Sequence, residues 1–84
     1  MPETFDFGQA LTYLKEGKEV ARLGWNGKGM RIELITPSKY SEATMPYLCL
    51  VYPVNPKHPV YPTGGRVPWL ASQTDMLSED WVLV

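Results

Sequence analysis

Six consecutive residues, Tyr47-Leu48-Cys49-Leu50-Val51-Tyr52, are apolar at both odd and even positions. A run this short and this unbroken reads as a strand with both faces covered, because alternation would otherwise leave one side polar for water. A small core supplies one cover, and a second subunit is a candidate for the other. Directly downstream, Pro53, Pro56, Pro59, Pro62 and Pro68 recur around Gly64-Gly65. Each proline removes a backbone donor and fixes φ, so residues 53–68 are expected to form an extended irregular loop that closes in a tight turn. Arg66 to Leu70 is a short strand candidate, with Pro68 tolerated only at an edge or bulge.

Upstream the period changes. Phe7, Ala10, Leu11 and Leu14 share one face of a helical repeat. Asp6 suits an N-cap with Gln9 placed as in a capping box, Lys15 and Lys18 suit the negative end of the helix dipole, and Gly17 suits a stop. These signals predict a helix over 6–16. Glu19 to Leu23 then reads as a strand, and Asn26-Gly27 as the turn of a hairpin whose second arm is Met30 to Ile35. In that arm Met30, Ile32 and Leu34 face one way and Arg31 and Glu33 the other, until Pro37 ends it. Residues 36–46 form a connection, and Trp81 to Val84 a last strand. The expected architecture is a single domain over 1–84 of α+β class: one N-terminal helix packed on a small, mainly antiparallel sheet, with a Pro-rich loop.

At 84 residues the core is small and the stability margin thin, which oligomerisation would relieve. Ten aromatic residues and 20% charged residues place the chain among folding sequences rather than disordered ones. A formal charge of -1 supplies no broad cationic field, so neither DNA nor RNA is an expected partner, although a local patch for one small anion remains compatible. The single cysteine, Cys49, has no partner for an intramolecular disulfide and reads as a small buried hydrophobe. Without a hydrophobic leader or an apolar stretch of about 18 residues, no membrane contact is expected and the cytoplasm is the expected location.

Two segments stand apart from core patterning: Gly24-Trp25-Asn26-Gly27-Lys28-Gly29-Met30 and Pro68-Trp69-Leu70-Ala71-Ser72-Gln73-Thr74-Asp75-Met76. Each sets a Trp beside amides and small residues. An indole offers a stacking surface for a nucleobase, Asn26 and Gln73 can read a base edge, and Thr74 and Asp75 can hold ribose hydroxyls. Gly27 and Gly29 let backbone N–H groups approach an anion, and Lys28, Arg22 or Arg31 can neutralise phosphate. Together these residues suggest a nucleotide-like ligand. The alternative is structural: Trp25 folded over the core, Asn26-Gly27 serving turn geometry, and Ser72 or Thr74 opening a short helical turn. Trp81 reads as core, and Glu79-Asp80 as a solvated or capping pair.

No catalytic centre is legible. His58 stands apart from other metal-ligating side chains, Ser72 lies in no nucleophile elbow, and the Gly24–Gly29 segment lacks the ending of a phosphate-binding loop. Neither a metal nor a cofactor is expected.

Phe7-Gly8-Gln9-Ala10-Leu11, the 24–30 segment, and Pro68 to Leu77 with Asp80-Trp81 occur in an order and spacing that resembles the Thoeris anti-defence 2 family of phage and prophage proteins. The likeness spans nearly the whole chain, with no motif matched between Pro37 and Gly65. It implies a sponge that holds the cyclic ADP-ribose isomer made by Thoeris TIR proteins, without cleaving it, in the infected bacterial cytoplasm. It also implies homotetramers with ligand pockets between protomers, and in some members a second cargo, the cyclic dinucleotides of CBASS. Carried onto this chain, the resemblance assigns base stacking to Trp25 or Trp69 and polar contacts to Asn26, Gln73 and Thr74. Asp75 takes a ribose hydroxyl; Arg22, Lys28 and Arg31 are assigned the pyrophosphate on their charge and proximity in sequence, and Gly27, Ser72 and Met76 complete the set. Two competing readings are a protein–protein interaction module and an enzyme that degrades a cyclic nucleotide.

Overall fold

A computed structural model describes residues 3–25, 29–60 and 62–84. Helix α1 (Phe7–Lys15) starts at Asp6, whose carboxylate accepts the Gln9 backbone N–H at 2.8 Å. It ends at Gly17, where the Gly17 N–H donates to the Leu14 carbonyl and the Lys18 N–H to the Tyr13 carbonyl, both at 3.0 Å. This closing pair satisfies carbonyls that the helix end would otherwise leave open. Ala10 and Leu14, on the apolar stripe, are buried.

Five strands follow: β1 (Val20–Arg22), β2 (Arg31–Ile35), β3 (Tyr47–Tyr52), β4 (Gly65–Pro68) and, after a short helix α2 (Gln73–Leu77), β5 (Trp81–Leu83). They form one sheet in the order β4-β3-β2-β1-β5, with every neighbouring pair antiparallel. The α+β expectation therefore holds, and the six-residue apolar run is a central strand. Pro68 lies in β4, an edge strand, where a missing donor costs no ladder bond. That strand begins one residue earlier than the sequence suggests and ends two earlier, because Gly65 pairs with Tyr52 directly after the turn. The Trp69 N–H adds a last bond to Leu48 at 2.9 Å before the chain leaves the sheet.

Register assigns the faces, since directly opposed residues share a side. Val20 opposes Ile32, Ile32 opposes Leu50, and Arg22 opposes Trp81, which puts these residues on the α1 side. Ala10, Leu14, Val20, Ile32 and Trp81 make the buried cluster, with Phe5, Phe7, Leu34, Leu48 and both remaining tryptophans packed around it. The opposite face carries Arg31, Glu33, Cys49, Val51 and Arg66. There Arg66 of β4 pairs with Glu33 of β2, so the two side chains meet across β3, above Cys49 and Val51, and Arg31 pairs with Glu19. Cys49 and Val51 are each 4% exposed, so the chain provides much of the second cover for β3 itself. Burial pushes the Cys49 thiol up, against a Val67 backbone hydrogen bond. No helix among the described residues is long and apolar enough to cross a membrane.

Candidate functional site

Arg22 closes β1 on the α1 side of the sheet with only 15% of its side chain exposed, a position where an unpaired guanidinium would be costly. Two carboxylates meet it. Its Nε donates to Asp80 Oδ1 and its Nη1 to Asp75 Oδ1, both at 2.9 Å, while Nη2 reaches Asp80 Oδ2 at 3.5 Å. Asp80 holds the guanidinium above its ordinary pKa, with burial opposing and Asp75 adding to the effect.

Asp75 belongs to the start of α2. Ser72 is the N-cap: its hydroxyl oxygen accepts the Asp75 N–H at 3.1 Å, and Asp75 Oδ2 accepts the Ser72 N–H at 3.0 Å, forming a reciprocal capping box. The carboxylate thus spends one oxygen on the cap and the other on Arg22. Burial would raise its pKa, but the Ser72 N–H, Arg22, the Ser72 hydroxyl and the Trp25 indole outweigh that and lower it. Asp80 is lowered chiefly by Arg22, against burial, with help from the Gly24 N–H, which donates to Asp80 Oδ2 at 2.9 Å.

The tryptophans lie against the same framework. Trp81 is fully buried and its indole N–H donates to the Asp75 carbonyl at 3.0 Å. Trp25 packs edge-on against Trp81 (ring centroids 5.6 Å apart) and Trp69 (6.2 Å), and Trp69 packs edge-on against Trp81 (6.1 Å) and Phe7 (6.3 Å). Trp25 and Trp69 are both half-buried, so each is braced by the core and still keeps accessible area.

The structure therefore joins Arg22, Trp25, Trp69, Ser72 and Asp75 from segments far apart in the chain. Gln73 and Thr74 are exposed in the first turn of α2, and Met76 is 46% exposed further along it. Arg31 stands elsewhere: it lies across the sheet from this group, opposite Val51, paired with Glu19. There it lines a cavity of about 520 Å³ with Arg66, Pro53 and Gly64. Asn26, Gly27 and Lys28 lie outside the described residues.

Asp80 is the member that sequence reasoning missed. Read as half of a solvated or capping pair, it instead anchors both Arg22 and the Gly24 backbone. Its partners lie 58 and 56 positions away, so only the pairing of β1 with β5 reveals them. Two signals were available: the place of Asp80-Trp81 among the motifs of the family resemblance, and the adjoining Trp81 itself, since a carboxylate leading into a buried terminal strand starts close to the core.

Comparison with known proteins gives one consistent picture. The family model of the Thoeris anti-defense 2-like domain matches residues 5–84. A relative named Thoeris anti-defense 2, from Bacillus phage SP01, is 35% identical over 92 aligned positions that take in all of this chain and 99% of the relative. The match runs through the helix, every strand and both Trp-bearing segments, and on it this chain belongs to the Thoeris anti-defense 2-like family.

Proposed function

We propose that this chain is a phage or prophage anti-defence protein that binds and sequesters a cyclic nucleotide immune signal without cleaving it. The primary cargo is a cyclic ADP-ribose isomer, and cyclic dinucleotides are a second class to test. The observation that carries the reading is the meeting of the two Trp-bearing segments: Trp25 touches Trp69, and Arg22 bonds Asp75 across 53 positions of sequence. Such a junction offers a nucleotide what it needs, an indole surface for a base and polar groups for ribose and phosphate. Gln73 and Thr74, exposed on α2 beside that junction, are the polar contacts least committed to internal structure. Asn26, Gly27 and Lys28, which follow Trp25 in the sequence, are proposed as further ligand contacts. Sequestration needs no acid–base pair, metal or cofactor, only slow release.

The test is recovery. A known amount of the cyclic ADP-ribose isomer, incubated with excess protein and then released by heat, returns intact if the chain is a sponge. A cleaved product overturns the reading in favour of an enzyme. A panel of cyclic ADP-ribose isomers and cyclic dinucleotides, scored by melting temperature, names the cargo: ligand at about 100 times its dissociation constant adds roughly 2.7 kcal/mol.

Exposed apolar residues next to the site favour an assembly. Leu70 is 91% exposed and Leu77 80%, on either side of the Ser72 cap. A homotetramer with pockets between protomers would cover such side chains and place a neighbour's surface against the ligand. The same exposure is what a protein–protein interaction module would present. Failure of every nucleotide to shift the melting temperature favours that second reading.

A further inference from the structure

The connection between β1 and β2 is held near each of its ends, at Gly24 and at Gly29, by a contact that an added side chain would crowd. At its start, the Gly24 N–H donates to Asp80 Oδ2, and a Cβ on Gly24 would stand 2.8 Å from that same oxygen. At its end, Gly29 has φ +82°, and a Cβ there would meet the Pro53 ring at 3.0 Å. The Gly29 brace is steric, whereas the Gly24 brace is a charge-assisted hydrogen bond and so fixes direction as well as distance.

Asp80 also holds Arg22, and Arg22 reaches on to Asp75, the carboxylate that caps α2. One continuous chain of bonds therefore runs from the backbone of the turn, through Asp80 and Arg22, to the helix of the other Trp-bearing segment. Arg22, Asp75 and Asp80 are half-buried, where their bonds to one another are stronger than in water, while the Gly24 end of the chain is exposed. Trp25, the residue after Gly24, is carried by this anchor to its position against Trp69 and Trp81.

We infer that Asp80 is a positioning residue of the ligand site: it holds the Trp25 turn in register with α2, so that the two halves of the site are assembled before the ligand arrives. The inference rests on the ligand-binding reading above and adds to it a residue that makes no ligand contact of its own. Both Asp80 oxygens are already engaged, Oδ1 by Arg22 and Oδ2 by Gly24, and this commitment suits a residue acting through the turn. Preformed geometry matters because the apparent dissociation constant rises in inverse proportion to the fraction of molecules holding the competent arrangement.

The experiment compares the full chain with Asp80→Ala, Asp80→Asn and Val51→Ala. Two quantities are read: affinity for a cyclic ADP-ribose isomer by calorimetry, at a temperature where each variant is folded, and hydrogen exchange of the Gly24 amide. Asp80→Ala is expected to weaken binding about tenfold, the loss that follows if the competent fraction falls to a tenth, and to speed Gly24 exchange relative to core amides. Asp80→Asn keeps an acceptor for Gly24 and recovers part of both. Val51→Ala, on the far face of the sheet, loses melting temperature but binds as the wild type does. Wild-type affinity in folded Asp80→Ala, or an equal loss in Val51→Ala, overturns the positioning role and leaves the ligand reading intact. Absence of binding by the wild-type chain overturns the ligand reading instead. If Asp80→Ala does not fold, Asp80→Asn decides: wild-type affinity despite faster Gly24 exchange removes the inference, and affinity that falls as exchange speeds up supports it.

Discussion

Removing Arg22 would leave Asp75 and Asp80 facing each other with 14% and 32% of their side chains exposed, too little for either charge to be well hydrated. Arg22→Met is accordingly expected to cost about 2–3 kcal/mol, the range for losing charge-assisted bonds and stranding their acceptors. Adding Asp75→Asn and Asp80→Asn to Arg22→Met should recover part of that loss, which denaturant melts of the single and triple variants will show. The same group sets an acid limit. Both carboxylates titrate below their ordinary 3.8 in the folded state, so their contribution is complete above that value and is lost as pH falls through the lower, folded values. Stability measured from neutral pH downward should therefore drop most steeply below about pH 4, and the drop should be shallower in Asp80→Asn, which keeps only the Asp75 carboxylate as a titrating partner of Arg22.

Among the elements, α2 is the least self-sufficient. It has five residues, none buried, and a helix that short does not form from propensity alone. Its persistence depends on the Ser72–Asp75 capping box, the Trp81 indole bonded to the Asp75 carbonyl, and Arg22. Ser72→Ala is expected to cost about 1 kcal/mol globally. Its larger effect should be local, with faster hydrogen exchange at 73–77 than elsewhere and weaker ligand binding as Gln73 and Thr74 lose their fixed placement; unchanged exchange there would show that Trp81 and Arg22 suffice. The difference between α2 and the longer elements also explains what the sequence could reveal. Helix α1 and strand β3 were legible because a nine-residue amphipathic repeat with both caps, or six unbroken apolar positions, carry the whole signal within the segment. The Trp-bearing segments were legible as special, since glycines and amides beside Trp fit no core pattern. Their connection was not. Arg22, Asp75 and Asp80 become neighbours only because β5 pairs with β1, a contact that no local periodicity encodes. Equally, the alternation in β2 separated Arg31 from Ile32 correctly, yet could not tell that Arg22 would share the Trp81 side while Arg31 took the other.

At the scale of the whole molecule, the helices and the sheet make a slab of 38 × 33 × 21 Å, in which the two helices contact one another and the Arg66–Glu33 and Arg31–Glu19 pairs lie on the second face of the sheet. Such a core leaves little margin, and the buried hydrophobic set is dominated by one large ring, Trp81. Trp81→Ala is expected to cost about 3–5 kcal/mol, a large share of what a domain this size possesses, and to abolish cooperative melting.

Leu70 and Leu77 pose the opposite problem, large apolar side chains at 91% and 80% exposure in a single chain. If the chain acted alone, a lysine at either position would be neutral to within about 0.5 kcal/mol and would leave ligand binding untouched. If the working form is a homotetramer whose interfaces take in this patch, those residues are covered in the assembly and a charge there must break it. The Leu70→Lys, Leu77→Lys double variant is therefore expected to retain the far-ultraviolet signature of the fold, to fall from a tetramer to a smaller species by light scattering, and to lose affinity for the cyclic ADP-ribose isomer together with its mass. A double variant that keeps the wild-type mass shows that the oligomer uses another surface. One that loses mass but binds undiminished shows that each pocket is built within one chain, around the Arg22–Asp75–Asp80 group that already joins both Trp-bearing segments there.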